Sequence, residues 1–191
     1  QGIPAETGWL PYKSLWGYHA AFAANAWLYA GRPDKAVDYL YDFANHASST
    51  RVWREEQSIT ATYNGQNFGD MPHNWASAEF IRLVRNLLIF ERGETLELLR
   101  GLPPEWSHDE MHVETMPTRF GDVTLRVVFS DDGAVTINYR RSANGHRDPQ
   151  AVKLFIHGMV DAAINGHALT AVDNAIELPD LSNATVTARL S

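Results

Sequence analysis

The stretch Val123-Thr-Leu-Arg-Val-Val-Phe129, Asp131-Asp-Gly133, Ala134-Val-Thr-Ile-Asn-Tyr139 alternates apolar and polar residues on both sides of an Asp-Asp-Gly break. Alternation with a period of two buries one face of a strand, and two such runs around a short Asp/Gly connection predict a β-hairpin. Further strands are predicted at Val152 to Ile156, Asp161 to Ile164, Ala175 to Leu178 and Ala184 to Leu190, with Asn165-Gly166 as a tight turn. Short strands at this spacing predict an antiparallel sandwich.

Upstream the period changes. All six Trp lie before Ser107, and apolar residues there recur every three or four positions, the helical spacing. The first helix is predicted from about Ser14 to Ala30, apolar all round and therefore buried on more than one side, with Gly31 closing it. An amphipathic helix follows from Pro33 to about His46, and a third runs from Pro72 through Arg92 to Gly93. Residues 48 to 71 carry no sustained period and read as a long loop, a kind of segment that is usually functional, with a short strand around Ser58 to Tyr63. The reading is an α+β chain: a helical segment over 1–106 and a β-sandwich over 107–191.

Composition narrows the chemistry. A formal net charge of −7 with scattered Lys and Arg gives no basic field for nucleic acid. The absence of cysteine removes disulfides, thiolate metal sites and a cysteine nucleophile, and leaves cytoplasm and periplasm equally open. The longest apolar run, Leu15 to Ala30, is interrupted and too short to span a bilayer. The chain begins Gln-Gly-Ile-Pro, without an initiator Met, and this suggests an artificial boundary, a processed chain or an interrupted reading frame.

The chemistry-bearing residues converge in Val52-Trp53-Arg54-Glu55-Glu56-Gln57 and Asn67-Phe68-Gly69-Asp70-Met71-Pro72-His73-Asn74-Trp75. Carboxylates activate water and protonate leaving groups in glycoside hydrolysis. Amides, imidazoles and guanidinium groups bind sugar hydroxyls, and aromatic rings bind the apolar faces of sugars. Glu55 and Glu56 are therefore the candidate catalytic carboxylates, with Trp53, Arg54, Asn67, Asp70 and His73 as candidate substrate ligands. Trp16, Trp27 and Trp75, at helical spacing, are expected in the core, so Trp53 alone is kept as a site aromatic. Asp70 and His73 are equally readable as helix-start residues. His108 to His112 lies ahead of a strand rather than on a helix, so no metal is expected there, and no cofactor anywhere.

In the order of these segments, continued by Leu102-Pro-Pro-Glu-Trp106 and Pro117-Thr-Arg-Phe-Gly121, the chain resembles the C-terminal part of six-hairpin (α/α) barrel glycosidases, close in layout to the α-L-rhamnosidase-like bacterial enzymes. The resemblance implies a glycoside hydrolase fragment acting on an oligo- or polysaccharide, with a carboxylate after the tryptophan as general base and a C-terminal sandwich that caps the barrel. The family pattern puts a glutamate directly after the tryptophan, where this chain has Arg54. Glu55 and Glu56 thus both stay open for the role, with Glu56 preferred, and no residue fills that of the general acid. The fragment is expected to be inactive alone and to self-associate through uncovered helix faces. The other reading is a non-catalytic carbohydrate-binding or structural interaction module.

Overall fold

The computed structural model describes residues 14–58, 69–108, 110–169 and 175–191. The chain divides into two compact units, Gln1–Leu87 and Leu88–Ser191, and is α+β as the periods predict.

The first unit holds β1 (Ser14–Leu15), α1 (His19–Tyr29), α2 (Pro33–Asn45), β2 (Gln57–Ser58) and the third helix α3 (Asn74–Leu88), whose final residue begins the second unit. Ser14 does not cap α1. It belongs to β1, which pairs antiparallel with β2, and the helix begins later, at His19. Its buried residues are Ala20, Ala21, Ala24, Asn25 and Leu28, whereas Phe22, Trp27 and Tyr29 are exposed. The helix is thus one-sided, not apolar all round: its small residues face inward, where close approach of a neighbouring helix needs little volume, and its large rings face out.

Gly31 takes a positive φ of 79°, which glycine adopts without steric cost. Arg32 N–H turns back to the Trp27 carbonyl at 2.8 Å, and Pro33 opens α2. That helix buries Ala36, Leu40 and Phe43 and exposes Asp34 and Asp38. Asn25, buried on α1, donates from Nδ2 to the Ala21 carbonyl (2.8 Å) and accepts from Asn86 Nδ2 of α3 (2.6 Å). Asn86 Oδ1 in turn accepts from Arg85 (2.9 Å). The pair satisfies two amides that would each be costly to bury alone.

In α3 the buried residues Ala76, Glu79, Leu83, Asn86 and Leu87 recur at spacings of three and four. The helix stops at Leu88 rather than running on to Arg92, because Ile89–Arg92 forms β3 and pairs with β4 (Thr95–Leu98) across Gly93, whose φ is 57°. The apolar run from Leu87 to Phe90 suits either period, and strand pairing decides. β4 also pairs, in parallel, with β8 (Ala151–Phe155). The boundary between units consequently lies at Leu87/Leu88 and not after Trp106.

The second unit contains two sheets. After a 3-10 turn at Pro104–Trp106 come β5 (Met111–Met116), β6 (Val123–Phe129), β7 (Ala134–Arg141), β8, β9 (Met159–Ile164), β10 (His167–Ala168), β11 (Ala175–Glu177) and β12 (Asn183–Leu190). One sheet has the order β10-β9-β12-β7-β6-β5, the other β11-β8-β4-β3. β6 and β7 form the expected hairpin, in register from Val123↔Arg141 to Phe129↔Val135. Asn165 and Gly166 both have positive φ and turn β9 into β10. Val123, Leu125, Val127, Val135, Ile137 and Tyr139 are buried at every second position, as a half-buried sheet requires.

Arg141, at the end of β7, is buried at the rim of this core. Its Nε donates to the Leu181 carbonyl (3.0 Å), Nη2 to Asp148 (2.7 Å) and Nη1 to the Phe120 carbonyl. Tyr139 Oη also donates to Leu181 (3.0 Å), and burial pushes its phenol pKa up. Arg141→Met leaves these buried carbonyls short of a donor. It is expected to lower the stability of the β unit by about 1–3 kcal/mol, measured by urea denaturation followed by far-UV circular dichroism.

Candidate functional site

Trp53 anchors the loop between α2 and α3. It is only 7% exposed; its indole packs against Phe43 (4.9 Å between centroids) and Phe80 (4.7 Å), and Nε1–H donates to the Phe43 carbonyl at 2.8 Å. A ring so enclosed has no free face for a sugar. The accessible rings are others: Trp75 is 54% exposed, Trp27 and Phe22 are exposed, and Trp16 is half-buried. The loop tryptophan is the core residue, and the helical tryptophans are not.

From this anchor the backbone ties two segments together. His73 N–H donates to the Trp53 carbonyl (2.8 Å), and Glu55 N–H donates to the Asp70 carbonyl (3.2 Å). These bonds bring Glu55 beside Asp70 and His73, so that one ligating atom from each lies within 4.8 Å of the others. Gly69 makes the approach possible: it has a φ of 73°, and a Cβ there would stand 1.9 Å from Glu55 Oε2.

His73 is 8% exposed, and its Nδ1 lies 2.6 Å from Asp70 Oδ1. An ionised carboxylate can only accept, so Nδ1 carries the proton. This bond holds the Asp70 carboxyl below its ordinary value. Its other nitrogen, Nε2, is buried without a hydrogen-bond partner. Asp70 does not simply cap α3; its carboxylate is committed to the imidazole.

The rings form a continuous cluster around Tyr18. Its ring stacks on Trp75 (5.1 Å, 21° between planes) and on Trp16 (5.7 Å, 15°), and lies 5.4 Å from the His73 ring. His19 and Phe22 meet it edge-on. Burial, first, and then the charges of Glu55 and Glu56 raise the Tyr18 pKa, so its phenol stays protonated at neutral pH. Burial lowers the pKa of His19.

The two glutamates differ in access. Glu56 is 1% exposed, while Glu55 is half-buried and reaches the Asp70–His73 side. The preference for Glu56 therefore meets a carboxylate enclosed by protein, and Glu55 is the one solvent reaches. Arg54 is half-buried between them and Trp53. Asn67, with most of the expected strand from Ser58 to Tyr63, lies outside the described residues. Away from this loop, His112 sits on β5 near Glu114 (3.6 Å), exposed. Among the described residues, Glu55, Asp70 and His73 are the group able to hold a metal. What sequence reasoning missed is the gathering of Trp16, Phe22 and Trp75 around Tyr18. The signal available for it was the proximity of Trp75 to His73 along the chain.

Comparison with protein-family models finds no match to this sequence, and comparison with curated proteins finds none either.

Two outcomes follow from the geometry. Trp53→Ala is expected to cost about 3–5 kcal/mol as a core truncation, whereas Trp75→Ala should cost no more than about 1 kcal/mol, both measured by urea unfolding. The lowered Asp70 carboxyl stabilises the fold fully above the ordinary carboxylate pKa, and that contribution is lost as pH falls through the lowered value. In His73→Ala the Asp70 titration, followed by carboxyl carbon NMR, should move up toward the ordinary value.

Proposed function

We propose that this chain is the C-terminal portion of a glycoside hydrolase whose helical unit supplies a carboxylate and an aromatic sugar platform. The observation that carries the reading is the placement of Glu55, with Asp70 and His73, beside the Tyr18–Trp75 stack. Hydrolysis of a glycosidic bond needs a carboxylate to take a proton from water, or to attack the anomeric carbon, and a carboxyl group to protonate the leaving oxygen. Glu55 is positioned for the first role. The second falls to a residue outside this chain, consistent with the resemblance to six-hairpin barrel enzymes.

Sugar binding has its own support. The exposed face of Trp75, backed by Tyr18, offers a flat apolar surface of the kind that pyranose rings cover. Asp70 gives one carboxylate oxygen to His73 and, being exposed, keeps the other for a sugar hydroxyl. The enclosure of Glu56 favours a second reading, a module that binds carbohydrate without turning it over. Exposed Phe22, Trp27, Tyr29 and Ile81 also give an apolar surface through which copies could associate.

In the full-length protein, Glu55→Gln is expected to lower kcat on the cognate glycoside by about 10²–10⁴-fold with little change in KM, while Trp75→Ala raises KM. Unchanged turnover in Glu55→Gln would remove Glu55 from the reaction. Saturable sugar binding lost in Trp75→Ala, with no turnover in any longer chain, would replace hydrolysis by binding alone.

A further inference from the structure

We propose that Glu55, Asp70 and His73 form a site for one first-row divalent metal ion, of which Zn²⁺ is the reference case. Ions of this class sit about 2.0–2.2 Å from carboxylate oxygen and imidazole nitrogen, so two ligand atoms on one tetrahedral ion lie about 3.3–3.6 Å apart. The donor atoms here span no more than 4.8 Å. Side-chain rotation of about 1 Å closes the difference, and Asp70, whose side chain is 63% exposed, has the freedom to make it.

The site is built rather than accidental. Glu55 comes from one segment and Asp70 and His73 from another, and the Glu55–Asp70 and Trp53–His73 backbone hydrogen bonds fix the two together. Gly69 leaves room for the Glu55 carboxylate to lie where any other residue would place its side chain. The result sets two carboxylates and an imidazole around one point, an excess of negative charge that a dication neutralises.

The imidazole turns Nδ1 toward Asp70, 2.6 Å away. An ion shared by the three side chains therefore takes the place of the proton between Nδ1 and Asp70, and that proton moves to Nε2, which is buried and has no hydrogen-bond partner. The imidazole selects transition ions over Ca²⁺ and Mg²⁺, and three protein ligands leave positions open for water or a substrate oxygen.

The inference does not rest on the glycosidase reading. An ion held here uses Glu55, so the carboxylate cannot ligate metal and act freely on water at the same moment.

The test is calorimetric titration of the EDTA-treated, dialysed chain with ZnCl₂ in the absence of sugar, repeated with CoCl₂ to read the ligand field optically. The expected result is one ion per chain, weakened at least about tenfold in Asp70→Asn and His73→Gln and in Glu55→Gln, with a nitrogen-containing tetrahedral or five-coordinate Co²⁺ spectrum lost in His73→Gln. His112→Gln, on the exposed β5 pair, should bind as the parent does. Far-UV circular dichroism checks that each variant is folded, and Glu55→Gln, on a half-buried side chain of equal size, serves if His73→Gln is not. Absence of saturable binding, or affinity that survives all three substitutions, overturns the site. Metal binding without turnover in the full-length protein would count against the glycosidase alone.

Discussion

Burying an indole obliges its N–H to find an acceptor, and in this protein that obligation organises the site. Trp53 gives its N–H to Phe43 and its ring to the space between Phe43 and Phe80. Its carbonyl then receives His73 N–H, and two residues on, Glu55 N–H binds Asp70. A segment without regular structure is thereby tied down by three hydrogen bonds. The candidate side chains hang from it: functional loops need a rigid support, and here the support is one buried ring.

The charge arrangement carries a cost that the rest of the unit absorbs. Glu55, Glu56 and His73 gather beside an aromatic cluster, with Asp70 exposed at its edge. Two consequences are visible: the raised Tyr18 pKa and the unpartnered His73 Nε2. Elsewhere, Asn25 meets Asn86, Arg141 meets two carbonyls and Asp148, and Glu97 in β4 lies 2.9 Å from Arg100.

The β unit contributes architecture. Its sheets are edged by short strands, β10 and β11, which limit unpaired backbone at two margins. A β fold hosts many activities, so the functional argument stays with the helical unit. There a carboxylate, an imidazole–carboxylate pair and an exposed stacked ring occur together.

The sequence by itself determined the α+β class, the β6–β7 hairpin, the Asn165-Gly166 turn and the Gly31-to-Pro33 helix junction. Each rests on local physics: a period of two, backbone freedom at glycine and asparagine, a fixed proline φ. It also placed Glu55, Asp70 and His73 among the chemistry-bearing residues. Only the tertiary structure decided that α3 ends at Leu88, because Leu87 to Phe90 satisfies both periods until β4 offers a partner. It likewise decided that Trp53 is core while Trp75 faces out, since helical spacing says which residues share a face but not whether that face is covered. The approach of Glu55 to Asp70 and His73 was equally beyond local reading, because it depends on hydrogen bonds between segments separated along the chain and on a glycine whose missing Cβ matters only once a distant carboxylate arrives.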